Sequence, residues 1–172
     1  MTLYALGDKM PSIDPSAFIH PDAVIIGDVT IGAESSVWPT AVLRGDFGAI
    51  RIGNQTSIQD GTVIHCTATL DTVIGDRCVV GHNAHLEGCT IHDDTLVGSG
   101  SVVLHRAVVG PHALVGANAV VNNDKTVPAF ARALGVPAVV TEGVVAEDAI
   151  RQGVEVYVAA THLYRAHLRR LD

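Results

Sequence analysis

LRGDFGAIRIGNQTSIQDGTVIHCTATLDTVIGDRCVVGHNAHLEGCTI, residues Leu43–Ile91, is a regular repeat that is interrupted three times. Before it, an aliphatic residue returns every sixth position at Ile19, Ile25, Ile31, Val37 and Leu43. After it, the same beat runs from Ile91 through Val97, Val103, Val109, Val115, Val121 and Val127. Inside the stretch Ile52, Ile58 and Ile64 keep time, then Ile74, Val80 and Leu86, with slips after Leu43, Ile64 and Leu86. A period of six suits neither an isolated helix nor an alternating strand. It is the period of a coil of short strands, each turning one aliphatic side chain inward. The sequence therefore predicts an all-β fold, a parallel β-helix of hexapeptide repeats over about residues 17–128. Eighteen hexads at three per coil make six coils.

A second column supports the winding. Two residues before the aliphatic position the side chain is usually small, as at Ala23, Ser35, Thr56, Cys78, Ala84 and Cys89, which suits tight corners beside a packed interior. Glycines such as Gly32, Gly53, Gly75 and Gly98 are expected to punctuate the turns. Residues 1 to about 16 read as a lead-in that Pro11 and Pro15 keep irregular. From about Glu147 to Leu171 the apolar residues Ile150, Val154, Tyr157, Val158, Leu163, Tyr164, Leu168 and Leu171 recur at near-helical spacing. This predicts an amphipathic C-terminal α-helix packed along the prism, its basic end suited to the negative pole of the helix dipole. The whole chain, residues 1–172, is expected to form a single domain.

Composition narrows the function classes. Apolar residues make up 48% of the chain and aromatics only 4%, so Val, Ile, Leu and Ala must build the core. A net charge of -7 argues against a nucleic-acid surface, and no basic run points to an acidic membrane partner. No apolar run is long enough to span a bilayer. The N-terminus lacks the basic and apolar regions of a signal peptide, and three scattered cysteines make no disulfide framework, so the expected location is the cytoplasm.

Counting hexads places the polar residues. The strands at Leu43, Ile64 and Leu86 stack on one wall, and the residue after each inward aliphatic points outward. Arg44, His65 and Glu87 therefore form an outer column, stepped by about 4.8 Å. His82, two past Val80, stands near the corner above Asp60, two past Ile58. The grouping of His65, His82 and His85 or Glu87 points to a metal site. His20, His92, His105, His112, His162 and His167 read as surface or capping residues, Cys66, Cys78 and Cys89 as packing, and Trp38 and Phe47 as contact surface.

Hexads such as Ile74-Gly75-Asp76-Arg77-Cys78-Val79 resemble those of left-handed β-helix proteins. Within that superfamily, Arg44-Gly45-Asp46, Gln59-Asp60, His65 and Gly81-His82, in this order and spacing, resemble the γ-class carbonic anhydrases along nearly the whole chain. The resemblance implies a homotrimer that hydrates carbon dioxide to bicarbonate through a metal-bound hydroxide, the metal lying between subunits. It implies zinc as the first choice of metal, with two ligands from one chain and His82 from its neighbour. Arg44 and Asp46 would pair to hold subunits together, Gln59 would orient the hydroxide, and Asp60 would position nearby groups. Where the family has its third histidine this chain has Glu87, with His85 two residues earlier. Either Glu87 ligates, a two-histidine, one-carboxylate set that also suits iron or cobalt, or His85 does and Glu87 becomes a second acceptor or general base. A carboxylate ligand makes the bound water less acidic than three neutral ligands do, and residues Cys66–Asp71 offer no acidic proton shuttle. A catalytically weak metal-binding or assembly homologue is thus the alternative. A hexapeptide acyltransferase or a thioesterase is the third reading.

Overall fold

Most strands are two or three residues long, so alternation gives each a single inward side chain. These side chains stand in three rows, one to a wall. Ile19, Val37, Ile58, Val80, Val97 and Val115 line the first wall. Ile25, Leu43, Ile64, Leu86, Val103 and Val121 line the second. Ile31, Ile52, Ile74, Ile91, Val109 and Val127 line the third. Apart from Ile19, which is partly buried, none is more than 3% exposed. The computed structural model, which describes residues 2–172, is a left-handed parallel β-helix of about seven turns with a C-terminal helix. Among the described residues no helix is long and apolar enough to cross a membrane.

The small column is buried as expected, and several of its hydroxyls bond to the next coil. Ser35 Oγ donates to the Gly53 carbonyl at 2.7 Å, Thr56 Oγ1 to that of Gly75 at 2.7 Å, and Thr95 Oγ1 to that of Gly110 at 3.0 Å. Each hydroxyl thereby meets its buried hydrogen-bonding requirement one coil up.

The glycines serve a different purpose from the one expected. The left-handed corner conformation falls three residues after the inward aliphatic, at Glu34, Gln55, Arg77, Asp94 and their equivalents, mostly without glycine. Gly53 and Gly98 have ordinary backbone angles. A Cβ on Gly53 would lie 2.5 Å from the Gly75 carbonyl carbon, and one on Gly98 2.6 Å from the Ala117 nitrogen. Close stacking of successive coils, rather than turn geometry, excludes a side chain there.

Both ends depart from expectation. Met1 lies outside the described residues, but the rest of the lead-in is partly regular: Thr2–Tyr4 and Ser12–Ile13 pair in parallel with Val24–Ile31. Pro11 stands just before the second of these strands, where it withholds no ladder hydrogen bond. Beyond Val127 the first wall gains one more strand, Arg132–Leu134, which turns back through Gly135–Ala138 to pair antiparallel with Val139–Thr141.

The helix is shorter than expected, Arg151–His167, because the chain turns at Ala146–Arg151 and Leu168 is already extended. It lies on the first wall. Tyr157 and Tyr164 pack against Trp38, ring centroids 5.9 and 4.9 Å away, and Tyr164 also meets Phe18. Trp38 is therefore only 7% exposed, a contact surface within the chain. Arg165 reaches back to donate to the Pro15 and Ala17 carbonyls.

Candidate functional site

Each slip in the repeat builds one part of the second wall's outer surface. After Leu43 the long strand Val42–Ile52 runs beside Val24–Ile31 with an irregularity that lets extra residues bulge, carrying Asp46 and Phe47 outward. After Ile64 the loop Cys66–Asp71 swings out beside it, and Asp71 Oδ1 accepts the Ala49 N–H at 2.7 Å, tying the two bulges together. After Leu86 the repeat is one residue short, and Gly88 turns the corner at a φ of 60°.

The column read from the hexads forms. Arg44 is register partner to His65, and His65 to Glu87. His65 stands between two carboxylates: Nδ1 is 2.9 Å from Glu87 Oε1 and Nε2 is 2.9 Å from Asp46 Oδ1. Arg44 Nη1 donates to the other oxygen of Asp46. The expected Arg44–Asp46 ion pair is thus made within one chain. Burial pushes the Asp46 carboxyl up, but hydrogen bonds from His65 and Arg44 outweigh it and hold the group below the ordinary carboxylate range. Burial also raises Glu87, and His65, with help from His105 and His85, brings it below its ordinary value. Each ring nitrogen of His65 thus has a carboxylate oxygen within hydrogen-bonding distance. Phe47, 63% exposed, lies edge-on to that ring.

A second group sits at the corner between the first and second walls. His82 Nδ1 is 2.8 Å from Asp60 Oδ2, as the hexad count placed them, and the His82 side chain is 49% exposed. With Nδ1 engaged by Asp60, Nε2 makes no hydrogen bond among the described residues. Gln59 is 4% exposed and, among the described residues, makes no hydrogen bond to His65 or Glu87. One chain therefore holds the residues in two clusters. His85 Nε2 stays 3.5 Å from Glu87 Oε2. Among the described residues, no three His, Cys, Asp or Glu side chains converge closely enough to hold a metal.

The structure adds two residues. Lys9, in the lead-in, donates its Nζ to the Asp46 carbonyl at 2.8 Å and the Phe47 carbonyl at 2.7 Å, clamping the bulge that presents Asp46. Nothing in the local sequence marks it, since its partners lie 37 and 38 residues away. His105, expected at the surface, stands on the next coil with Nε2 3.7 Å from Glu87 Oε2. The hexad count puts Leu104, not His105, in column with Glu87 on that coil, so the repeat gave no signal for it. His112 also leaves the surface class, stacked flat on Phe130 at 4.8 Å.

The bacterial transferase hexapeptide family (six repeats) matches residues 71–104 and 88–123. The mitochondrial gamma carbonic anhydrase 2 of Arabidopsis thaliana is 44% identical over 133 residues, 74% of this chain and 48% of that protein. The carnitine operon protein CaiE of Escherichia coli is 43% identical over 117 residues, 68% of this chain and 60% of that protein. The chain thus spans about half to three-fifths of the length of these curated relatives. Two solved structures match from end to end. An acetyltransferase candidate from Bacillus cereus has a TM-score of 0.93 at 35% identity, covering 96% of this chain and 97% of its own. A hexapeptide transferase family protein from Anaplasma phagocytophilum has a TM-score of 0.90 at 36% identity, covering 95% and 98%. With its repeats, its paired carboxylates and imidazoles and these relatives in agreement, the chain belongs to the γ-carbonic anhydrase-like hexapeptide-repeat family.

Proposed function

We propose that the chain is a metal-dependent hydratase, converting carbon dioxide to bicarbonate at a site shared between subunits of a homotrimer. One observation carries this reading. The candidate ligands fall into two clusters of one chain, with His82 held through Nδ1 by Asp60 at 2.8 Å and its side chain half exposed. An imidazole presented in that way suits a neighbour's ion.

The donor chemistry fits a divalent cation. His65 with Glu87 or His85 supplies two donors and a neighbour's His82 a third, which leaves a position for water. Zinc suits such a set, and the carboxylate widens the choice to iron or cobalt. The bound ion would act as a Lewis acid that makes water nucleophilic near neutral pH. As a ligand, His65 would give up one of its two carboxylate partners. Arg44 and Lys9 hold Asp46 in place, the first through the side chain and the second through the backbone. Gln59 is the residue assigned to orient the attacking water, and Asp60 keeps His82 in the tautomer that ligates. Overall, water adds to carbon dioxide and one proton leaves to solvent.

A second reading has its own support. Glu87 brings negative charge where an imidazole would be neutral, which weakens activation of water and fits a metal-binding or assembly protein with little turnover. Acyl transfer, suggested by the name of the Bacillus cereus relative, gives Arg44, Asp46 and Glu87 no task.

The test joins three measurements on the purified chain. Sedimentation should give a trimer, elemental analysis close to one transition metal per chain, and stopped-flow assay a carbon dioxide hydration rate above buffer. Glu87→His should raise that rate. A monomer without metal overturns the proposal, and a metallated trimer with no rate favours the assembly reading.

A further inference from the structure

His105 has a buried ring nitrogen without a hydrogen-bond partner. Its Nε2 is shielded from solvent, although the side chain as a whole is 35% exposed. An orphaned buried nitrogen is costly, and in a native fold it calls for an explanation. The atom faces Glu87 Oε2 across 3.7 Å, several tenths of an ångström beyond hydrogen-bond range. The ring lies over Gly88, where a Cβ would stand 3.2 Å from His105 Cδ2 and 3.0 Å from Leu70 Cβ, so the glycine leaves the room that the ring occupies. Glu87, in contrast, is hydrogen-bonded through one oxygen only, by His65 Nδ1 at 2.9 Å from Oε1, while Oε2 lies between His105 Nε2 and the solvent-facing His85 Nε2 at 3.5 Å.

We propose that His105 is a positioning residue for Glu87. When Oε1 turns from His65 to a divalent cation, Oε2 closes onto the Nε2–H of His105. That bond replaces the one given up and fixes the carboxylate as a donor. The inference rests on the metal reading above and assigns to it a residue on a coil that the ligand motif does not reach. The advantage is geometric: a ligating carboxylate whose second oxygen is hydrogen-bonded is pre-oriented, and loss of such a partner commonly weakens metal binding by about ten- to a hundred-fold.

The experiment measures zinc affinity of the full chain by competition with a chromogenic chelator. It uses wild type, His105→Phe, which keeps a ring against Gly88 and Leu70 without a donor, and His105→Gln, whose amide restores an N–H near the Nε2 position. The expected result is about ten- to a hundred-fold weaker binding in the Phe variant and recovery to within a few-fold in the Gln variant. If the Phe variant does not fold, His105→Leu takes its place. Equal affinity in wild type and the Phe variant overturns the role of His105 and leaves the metal reading standing. Equal loss in the Phe and Gln variants means packing rather than hydrogen bonding, and also overturns it. No zinc uptake by wild type removes both ideas.

Discussion

Glu87 is one side chain away from a neutral imidazole, and most of what is distinctive in the site follows from that. Its carboxylate draws His65 on one oxygen and faces His85 and His105 with the other, at 3.5 and 3.7 Å. The cysteines show the opposite case, in which chemistry is suppressed. Cys66, Cys78 and Cys89 are all buried, and none is disulfide-bonded. Burial pushes the thiols of Cys78 and Cys89 up to about 12, and raises Cys66 as well. Because the thiolate is the reactive form, the folded chain should react with a thiol reagent at neutral pH far more slowly than the urea-unfolded chain. Rapid labelling of Cys78 or Cys89 in the native protein would contradict that burial. The site's main pairs were legible at this scale, because a hexad count fixes which residues are neighbours one coil apart.

At the scale of elements, the helix and the first wall depend on each other. Trp38 fills the seam, its indole Nε1 donating to Ser36 Oγ and Ser57 Oγ at 3.0 Å while Tyr157 and Tyr164 cover its ring. Trp38→Ala should cost about 3–5 kcal/mol in urea unfolding and loosen the helix, with a loss of helical circular dichroism before the β-helix melts. A change below about 1 kcal/mol would show that the helix docks without it. The helix was legible from its period, but its boundaries were not. Near-helical spacing extends to Leu171, whereas the aromatic packing on the wall ends at Tyr164 and the backbone is already extended at Leu168. The lead-in was misread for a related reason. Its two short strands have little pattern of their own and form only because Val24–Ile31 presents an edge.

Across the whole molecule, ion pairs clip one coil to the next. Arg51 reaches Asp28 at 2.6 Å, Arg77 reaches Asp94 at 2.8 Å, and Arg106 reaches Asp124 at 2.6 Å. In each case the arginine's hydrogen bond is the largest influence and holds the carboxyl below its ordinary value. A depressed folded value contributes stability that is complete above the unfolded pKa of about 4 and is lost as pH falls through the lower folded value. Stability should therefore be level from neutral pH down to about 4 as far as these groups are concerned, then fall. Arg77→Gln should move the acid midpoint, followed by circular dichroism, towards higher pH. The shift should be modest, since partly exposed pairs are screened. An unmoved midpoint would mean that the clip contributes nothing to folding.

The sequence alone determined the winding and the stacking of the walls. One inward aliphatic per hexad can be buried only if the chain coils, and each coil then fixes the register of the next. It also placed His65 beside Glu87 and His82 beside Asp60, since those pairs are separated by a whole number of coils. Tertiary structure decided what the repeat does not encode. Lys9 clamps the Asp46 bulge from 37 residues away, a contact set by how an irregular loop folds back over the prism. His105 faces Glu87 because the chain is one residue short after Leu86 and Gly88 leaves room for the ring. The glycines, read as turn formers, proved to be points where two backbones approach too closely for a Cβ, a constraint that exists only once the coils are stacked.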